Sequence, residues 1–179
     1  RYSLLRAKIA GELVYAKERT EKIITSSQEA FVSIDEHGLI TEWNPAAEKV
    51  FGWTKNEVLG KKLAETIIPE SFREAHHKGH AHFMATGESR LMGKRLELSA
   101  LHKEGHEFPV ELTLSFLKMD DKLTFNAFIQ DITYRKKMER IKNEFISMAS
   151  HELRTPMAII QSGIANLTCD ILGKLNDKQ

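Results

Sequence analysis

Between Phe108 and Leu117 the apolar residues Val110, Leu112, Leu114 and Phe116 recur at every second position, with Glu111, Thr113 and Ser115 between them. A period of two belongs to a strand with one face buried and the other wet, and such a strand needs neighbours to pair with. The neighbours are close in sequence. Lys94 to Leu101 leads in through the turn Lys103-Glu104-Gly105, and Met119-Asp120-Asp121 turns the chain into Lys122 to Ile132. Upstream, Phe31, Val32 and Ile34, the turn Glu36-His37-Gly38 and the run Leu39 to Trp43 read as a hairpin. Asn44-Pro45 ends it, Asn as a helix cap and Pro at the first helical position, before the helical run Ala46 to Phe51. Gly52, Gly60 and Pro69 cut the following stretch into short helices. Ser71 to Ala85 predicts a longer helix with Phe72, Ala75, His76, Gly79 and Phe83 on one face, stopped by Thr86-Gly87. Two strands, several helices and three more strands define an α+β fold: a five-stranded antiparallel sheet with helices packed on one face.

Helical sequence flanks this unit on both sides. From Leu5 to about Gln28, residues Ile9, Leu13, Ala16, Thr20, Ile23 and Ser27 form a heptad-like stripe, suited either to a second copy of the helix or to packing on its own domain. After Thr133 neither Gly nor Pro occurs before Pro156, and Met138, Ile141, Phe145 and Met148 mark the stripe of a long helix. The expected division is a coiled-coil-like linker helix over 1–24, a sensor-sized domain over 25–133, and a further helical segment over 134–179. With 179 residues, 41% hydrophobic and 28% charged, the chain is globular in composition, which excludes a disordered or fibrous protein. A net charge of +1 gives no electrostatic drive toward nucleic acid or a membrane surface. The longest charge-free stretch, Thr155 to Cys169, falls short of the roughly 20 apolar residues of a bilayer span, so no membrane segment is expected. The lone Cys169 allows neither an internal disulfide nor a cysteine-built metal site and fits a reducing cytoplasm. The start at Arg1-Tyr2-Ser3, without Met or an apolar leader, reads as a piece of a longer protein.

Two segments carry a family likeness. Asn44-Pro45-Ala46-Ala47-Glu48-Lys49-Val50-Phe51-Gly52-Trp53, then Glu57-Val58-Leu59-Gly60-Lys61, Gly105-His106-Glu107-Phe108-Pro109-Val110-Glu111 and Asp131-Ile132-Thr133 resemble the PAS sensor domain over roughly residues 25–133. Phe145-Ile146-Ser147-Met148-Ala149-Ser150-His151-Glu152-Leu153-Arg154-Thr155-Pro156 is similar to the H-box of sensor histidine kinases. The likeness implies the sensing part of a bacterial-type two-component kinase and the start of its dimerisation and phosphoacceptor domain. It implies His151 as phosphoacceptor, and as partners a second copy of the chain, a response-regulator receiver domain and an ATP-binding kinase domain, its own or one acting in trans. It implies no nucleic acid. The chain holds no Gly-rich phosphate loop or Asn-bearing metal box, so ATP and Mg²⁺ belong to that further domain, and these residues are expected to accept phosphate without drawing it from ATP alone. Gly173 with Lys174 to Asp177 reads as the hairpin and cap of a second bundle helix. The location implied is cytoplasmic, as a free protein or as the inner part of a membrane-anchored kinase.

Helical geometry supports these roles independently. At 100° per residue, Ile146, Ala149, Met157 and Ile160 lie within about 40° of Leu153 and predict a buried stripe, while His151 points about 160° away. Thr155 stands one turn beyond His151 on the same face, with Glu152 adjacent. A neutral exposed imidazole can attack a phosphoryl group, Glu152 can take the released proton as general base, and Thr155 can position a water for dephosphorylating a partner. Pro156 removes a helical hydrogen bond and loosens the helix just past the histidine. Without the motif, these residues read as an ordinary exposed histidine on a solvated helix face.

What the sensor domain detects is less constrained. His76, His77, His80 and His82 crowd one helix, but no Cys or carboxylate converges on them, and no metal site is expected. The stretch from Pro69 to Gly93 resembles the haem-bearing PAS domains of oxygen-sensor kinases, and that resemblance implies His76 as axial ligand of a gas or redox sensor. The arginine those domains use to hold oxygen is matched by Leu96, with Arg95 one residue away. A flavin photoreceptor is expected less than haem, since its reactive cysteine would lie in the sensor helices and Cys169 is outside them. Otherwise the interior holds a small ligand, or the domain is a non-catalytic dimerisation module. Trp43 and Asn44 are candidate couplers of signal to Asp131-Ile132-Thr133, or else a core aromatic and a helix cap.

Overall fold

In the computed structural model, residues 2–89, 91–119 and 122–168 are described. The elements run α1 (Tyr2–Ser26), β1 (Ala30–Asp35), β2 (Ile40–Trp43), α2 (Pro45–Phe51), α3 (Lys55–Val58), α4 (Leu63–Thr66), α5 (Glu70–Thr86), β3 (Arg95–Leu101), β4 (Glu107–Met119), β5 (Lys122–Asp131) and α6 (Thr133–Thr168). Contacts divide the chain into two units, Arg1–Thr133 and Tyr134–Gln179. Cys169, the Asp120-Asp121 turn and the Gly173 to Asp177 segment lie outside the described residues.

The five strands form one sheet in the order β2-β1-β5-β4-β3, every neighbouring pair antiparallel. The alternation in β4 survives in the register: Leu112 faces Ile129, Leu114 faces Ala127 and Phe116 faces Phe125. Together with Val32 and Ile34 of β1, this side of the sheet meets α2 to α5 around a core that includes Trp43, Phe51, Val58, Ile67, Phe83, Phe108, Val110 and Phe125. Trp43 packs on Phe51 and Phe51 on Phe108, with ring centroids 5.3 and 5.8 Å apart. Burying one such aromatic is worth about 1.5–3 kcal/mol, so this row of rings fastens the helical layer to the sheet.

Turn chemistry fixes the helix ends. Asn44 caps α2, whose first residue is Pro45, and Gly52 closes it at φ 76°. A side chain at Gly52 would be strained by that φ, and its Cβ would lie 2.6 Å from the His102 Nε2 atom, so the β3–β4 turn approaches this helix end as closely as only glycine permits. In α3 the Glu57 carboxylate accepts from both the backbone N–H and the hydroxyl of Thr54.

Two expectations need correction. The inward face of α5 consists of Arg73, His76, His80 and Phe83, while Phe72, Ala75 and Gly79 are exposed. Arg73 sits on the packed side with its Nε donating to the Ile68 carbonyl, its stem buried while its charged head stays bonded. In α6 the stripe Ile146, Leu153, Met157 and Ile160 is more than half exposed in the single chain, because no second surface covers it. The helix also continues unbroken through Pro156. One lost hydrogen bond costs less than ending a helix of 36 residues whose other bonds remain.

Candidate functional site

Candidate functional residues lie in both units. On α6, His151, Glu152 and Thr155 are all exposed to solvent. His151 and Thr155 border a shallow strip along the helix that continues over Ala158, Ser162 and Gly163. Arg154 and Ile159 line the same strip, so the small residues open only one part of the histidine's flank. No helix among the described residues is long and apolar enough to cross a membrane.

In the first unit, Asn44 is 3% exposed and its side chain is fully engaged. Its Oδ1 accepts from the N–H groups of Phe31 and Ala47, both at 2.9 Å, and its Nδ2 donates to the carbonyls of Ile24 and Glu29, both at 3.0 Å. An amide side chain has two donor hydrogens and two acceptor lone pairs, so no capacity is left for Asp131 or Thr133. The expected coupling of Asn44 to that end of the domain is therefore not made through this side chain; Asn44 binds the last turn of α1 instead. Trp43 is buried and donates from Nε1 to the Trp53 carbonyl at 3.1 Å. At the domain exit, Asp131 Oδ1 accepts from the Thr133 N–H at 2.7 Å and Ile132 N–H donates to the Pro109 carbonyl. Asp131 thus caps the first turn of α6, while the buried Ile132 pins that turn to β4.

The inner histidines of α5 lie in an apolar setting. The rings of His76 and His80 are 6.4 Å apart and stacked, His80 is 5.2 Å from Phe125, and Phe83 touches Phe125 and Phe116 at 5.1 and 5.0 Å. His76 Nδ1 and His80 Nε2 are buried without a hydrogen-bond partner. Burial, reinforced by the neighbouring His77 and His80, pushes His76 from an ordinary value of 6.5 to about 4. Burial first, then Lys62 and His77, lowers His80.

The unpartnered His76 nitrogen is Nδ1, whereas an axial histidine binds haem iron through Nε2, and the surroundings do not favour the group either. His80, one turn on from His76, packs directly on Phe125 with ring centroids 5.2 Å apart, which leaves no room for a flat macrocycle between those two rings. Arg95, the nearest arginine to the oxygen-binding position, is exposed and paired with Glu111 at 3.3 Å. Leu96 at the matching position offers no donor.

These histidines predict a pH response. Both are held neutral in the fold, so below the ordinary value the unfolded chain binds protons more readily. Stability is expected to be complete above about pH 6.5 and to drain as the pH falls toward 4, by up to about 3 kcal/mol for His76. Urea melts at pH 7 and pH 4.5 of wild type and His76→Leu measure it; equal pH dependence in the two would contradict the assignment.

A sequence model of the PAS fold matches residues 18–132, well over half of the chain. The chain belongs to the PAS fold family. Its relatives include sensor histidine kinases. It is 23% identical over 170 residues to sensor protein FixL of Bradyrhizobium diazoefficiens, a match covering 86% of this chain and 34% of that protein. It is 29% identical over 168 residues to the cell-division control histidine kinase PdhS of Brucella ovis, covering 86% of this chain and 16% of that one. Both matches take in more of the chain than residues 18–132 comprise. The chain spans about a third or less of the length of these relatives. Among solved structures, the PAS domain of a protein from Colwellia psychrerythraea superposes with a TM-score of 0.56 at 20% identity, covering 66% of this chain and 98% of that domain, a likeness of fold.

One set of residues escaped the sequence reading. His102, Glu104 and His106 bring one donor atom each to within 4.8 Å of the others. The signal was there as His-x-Glu-x-His around Gly105, a spacing that means little on a helix and something different in a tight turn.

Proposed function

We propose that this chain is the sensing and phospho-accepting part of a two-component sensor histidine kinase. The PAS domain takes up a signal, and the helix that starts at Thr133 carries it to His151. His151 receives a phosphoryl group from an ATP-binding kinase domain, in cis or in trans, and passes it to an aspartate of a response-regulator receiver domain. Glu152 serves as general base for the ring proton, and Thr155 positions water when the partner is dephosphorylated. The observation that carries this reading is His151 in open solvent on one uninterrupted helix that follows the last strand of the PAS domain. The matches to sensor histidine kinases extend past that domain and support it.

A second copy of the chain is the proposed cover for the uncovered apolar stripes. Ile9, Leu13 and Ile23 on α1 and Ile146, Leu153 and Ile160 on α6 are each more than half exposed, and apolar rows at coiled-coil spacing are buried by pairing. The test of function is phosphotransfer: the chain incubated with a separately supplied ATP-binding kinase domain and ATP acquires an acid-labile phosphoryl label. No label on the folded chain would refute the reading.

A further inference from the structure

The turn between β3 and β4 gathers three metal-ligating side chains that neither the PAS fold nor the kinase reading uses. It is closed by backbone bonds from His102 N–H to the His106 carbonyl and from Gly105 N–H to the His102 carbonyl, both 2.9 Å, with Gly105 at φ 89°. The two imidazoles are stacked, with centroids 4.5 Å apart and planes 22° from parallel. Their Nδ1 atoms face one carboxylate oxygen: Glu104 Oε2 lies 3.8 Å from His102 Nδ1 and 4.0 Å from His106 Nδ1.

The lone pair of His102 Nδ1 accepts the Glu104 N–H at 3.2 Å, and an ion bound at this nitrogen takes the place of that hydrogen bond. The nearest cation is already engaged, since Lys103 Nζ lies 2.6 Å from Glu57 and 4.9 Å from the centre of the Trp53 ring. His102 is half-buried, with its ring edge against Gly52 and the Lys103 N–H bound to the Phe51 carbonyl. One ligand is therefore fixed by the fold, while Glu104 and His106 are exposed and free to close in. Donors around a tetrahedral ion at 2.0–2.1 Å stand about 3.3 Å apart, so closing this group, whose donor atoms lie within 4.8 Å of one another, needs movements on the order of an ångström and a turn of the exposed His106 ring out of its stack with His102.

We propose that His102, Glu104 and His106 form a binding site for a divalent transition metal of the Zn²⁺, Ni²⁺ or Cu²⁺ class, with two imidazoles and one carboxylate as ligands and at least one position open to solvent. Imidazole donors select these ions over Mg²⁺ and Ca²⁺, which prefer all-oxygen sites. A bound ion ties the turn tighter against the end of α2, which makes metal occupancy an input to the PAS domain that does not pass through its interior.

The experiment titrates Zn²⁺ into the metal-free chain carrying Cys169→Ser, followed by calorimetry, with Cu²⁺ electron paramagnetic resonance as a second readout. One Zn²⁺ per chain is expected, weakened about tenfold or more in His106→Gln and in Glu104→Gln and unchanged in His77→Gln/His82→Gln, which probes the histidines of α5. The Cu²⁺ spectrum is expected to show two imidazole nitrogens in the wild type and one in His106→Gln. Absence of saturable binding, or binding lost in the α5 variant and retained in His106→Gln, would overturn the proposal. Both substituted residues are exposed, so circular dichroism should match the wild type, and phosphotransfer to His151 has no part in the readout.

Discussion

In His151→Gln the acid-labile label falls to background, while the melting temperature stays with that of the wild type. The glutamine amide is close in size to the imidazole but has no nucleophilic lone pair at neutral pH, so the phosphoryl acceptor is deleted and little else changes. Because His151 is exposed, the stability cost should remain within about 0.5 kcal/mol. The neighbouring residues separate the roles. Glu152→Gln keeps the acceptor and removes the base, so labelling should slow by roughly 10²-fold or more without disappearing. Thr155→Ala should label normally and lose the ability to strip phosphate from a receiver domain. Radiolabel transfer with an acid-stability control measures all three. Equal labelling of wild type and His151→Gln would place the phosphoryl group elsewhere and end the kinase reading.

Asn44→Ala should lower the stability of the PAS domain by about 3 kcal/mol, or about 10 °C in melting temperature. Two costs combine. The cap of α2 is lost, worth about 1 kcal/mol, and the buried Phe31 N–H loses its acceptor, a desolvation penalty of about 1–3 kcal/mol. The carbonyls of Ile24 and Glu29 lose a donor at the same time. Asn44→Asp divides these effects, because it keeps both acceptor bonds and removes both donations. It should melt between alanine variant and wild type, yet be cut more readily by protease around residues 26–29, where the amide holds the Ile24 and Glu29 carbonyls. Chemical denaturation with limited proteolysis reads both, and a melting temperature for Asn44→Ala within 2 °C of wild type would remove Asn44 from its central place.

The strands were legible because their information is local. Val110, Leu112, Leu114 and Phe116 announce their shared face through spacing alone, and the observed register keeps them on it. The pairing of β1 with β5 was not legible, since Ala30 and Ile129 meet only after the whole chain between them has folded. Helix α5 was misread because its packed side carries an arginine and two histidines, which hydropathy places in water and which reach the interior through burial of their stems and rings. Asn44 read correctly as a cap from the Asn-Pro pair, but its other bonds reach backbone 15 and 20 residues away, which no local pattern encodes. The apolar row on α6 was legible as a surface that needs covering; the sequence does not say whether the same chain supplies the cover. His151 was legible through a twelve-residue likeness, while the turn histidines were not, because their convergence depends on the left-handed Gly105.

The antiparallel pairing of β1 with β5 sets Ala30 opposite Ile129, so the chain enters and leaves the PAS domain at the same edge of adjacent strands. A domain with its two ends side by side behaves as a cassette. It can be spliced into a longer helical protein, duplicated or removed without rerouting the polypeptide, and its removal shortens the molecule by one module. A slide of one strand along the other shifts the entry and exit points in opposite directions, so even a small shear inside the sheet registers at both doors at once.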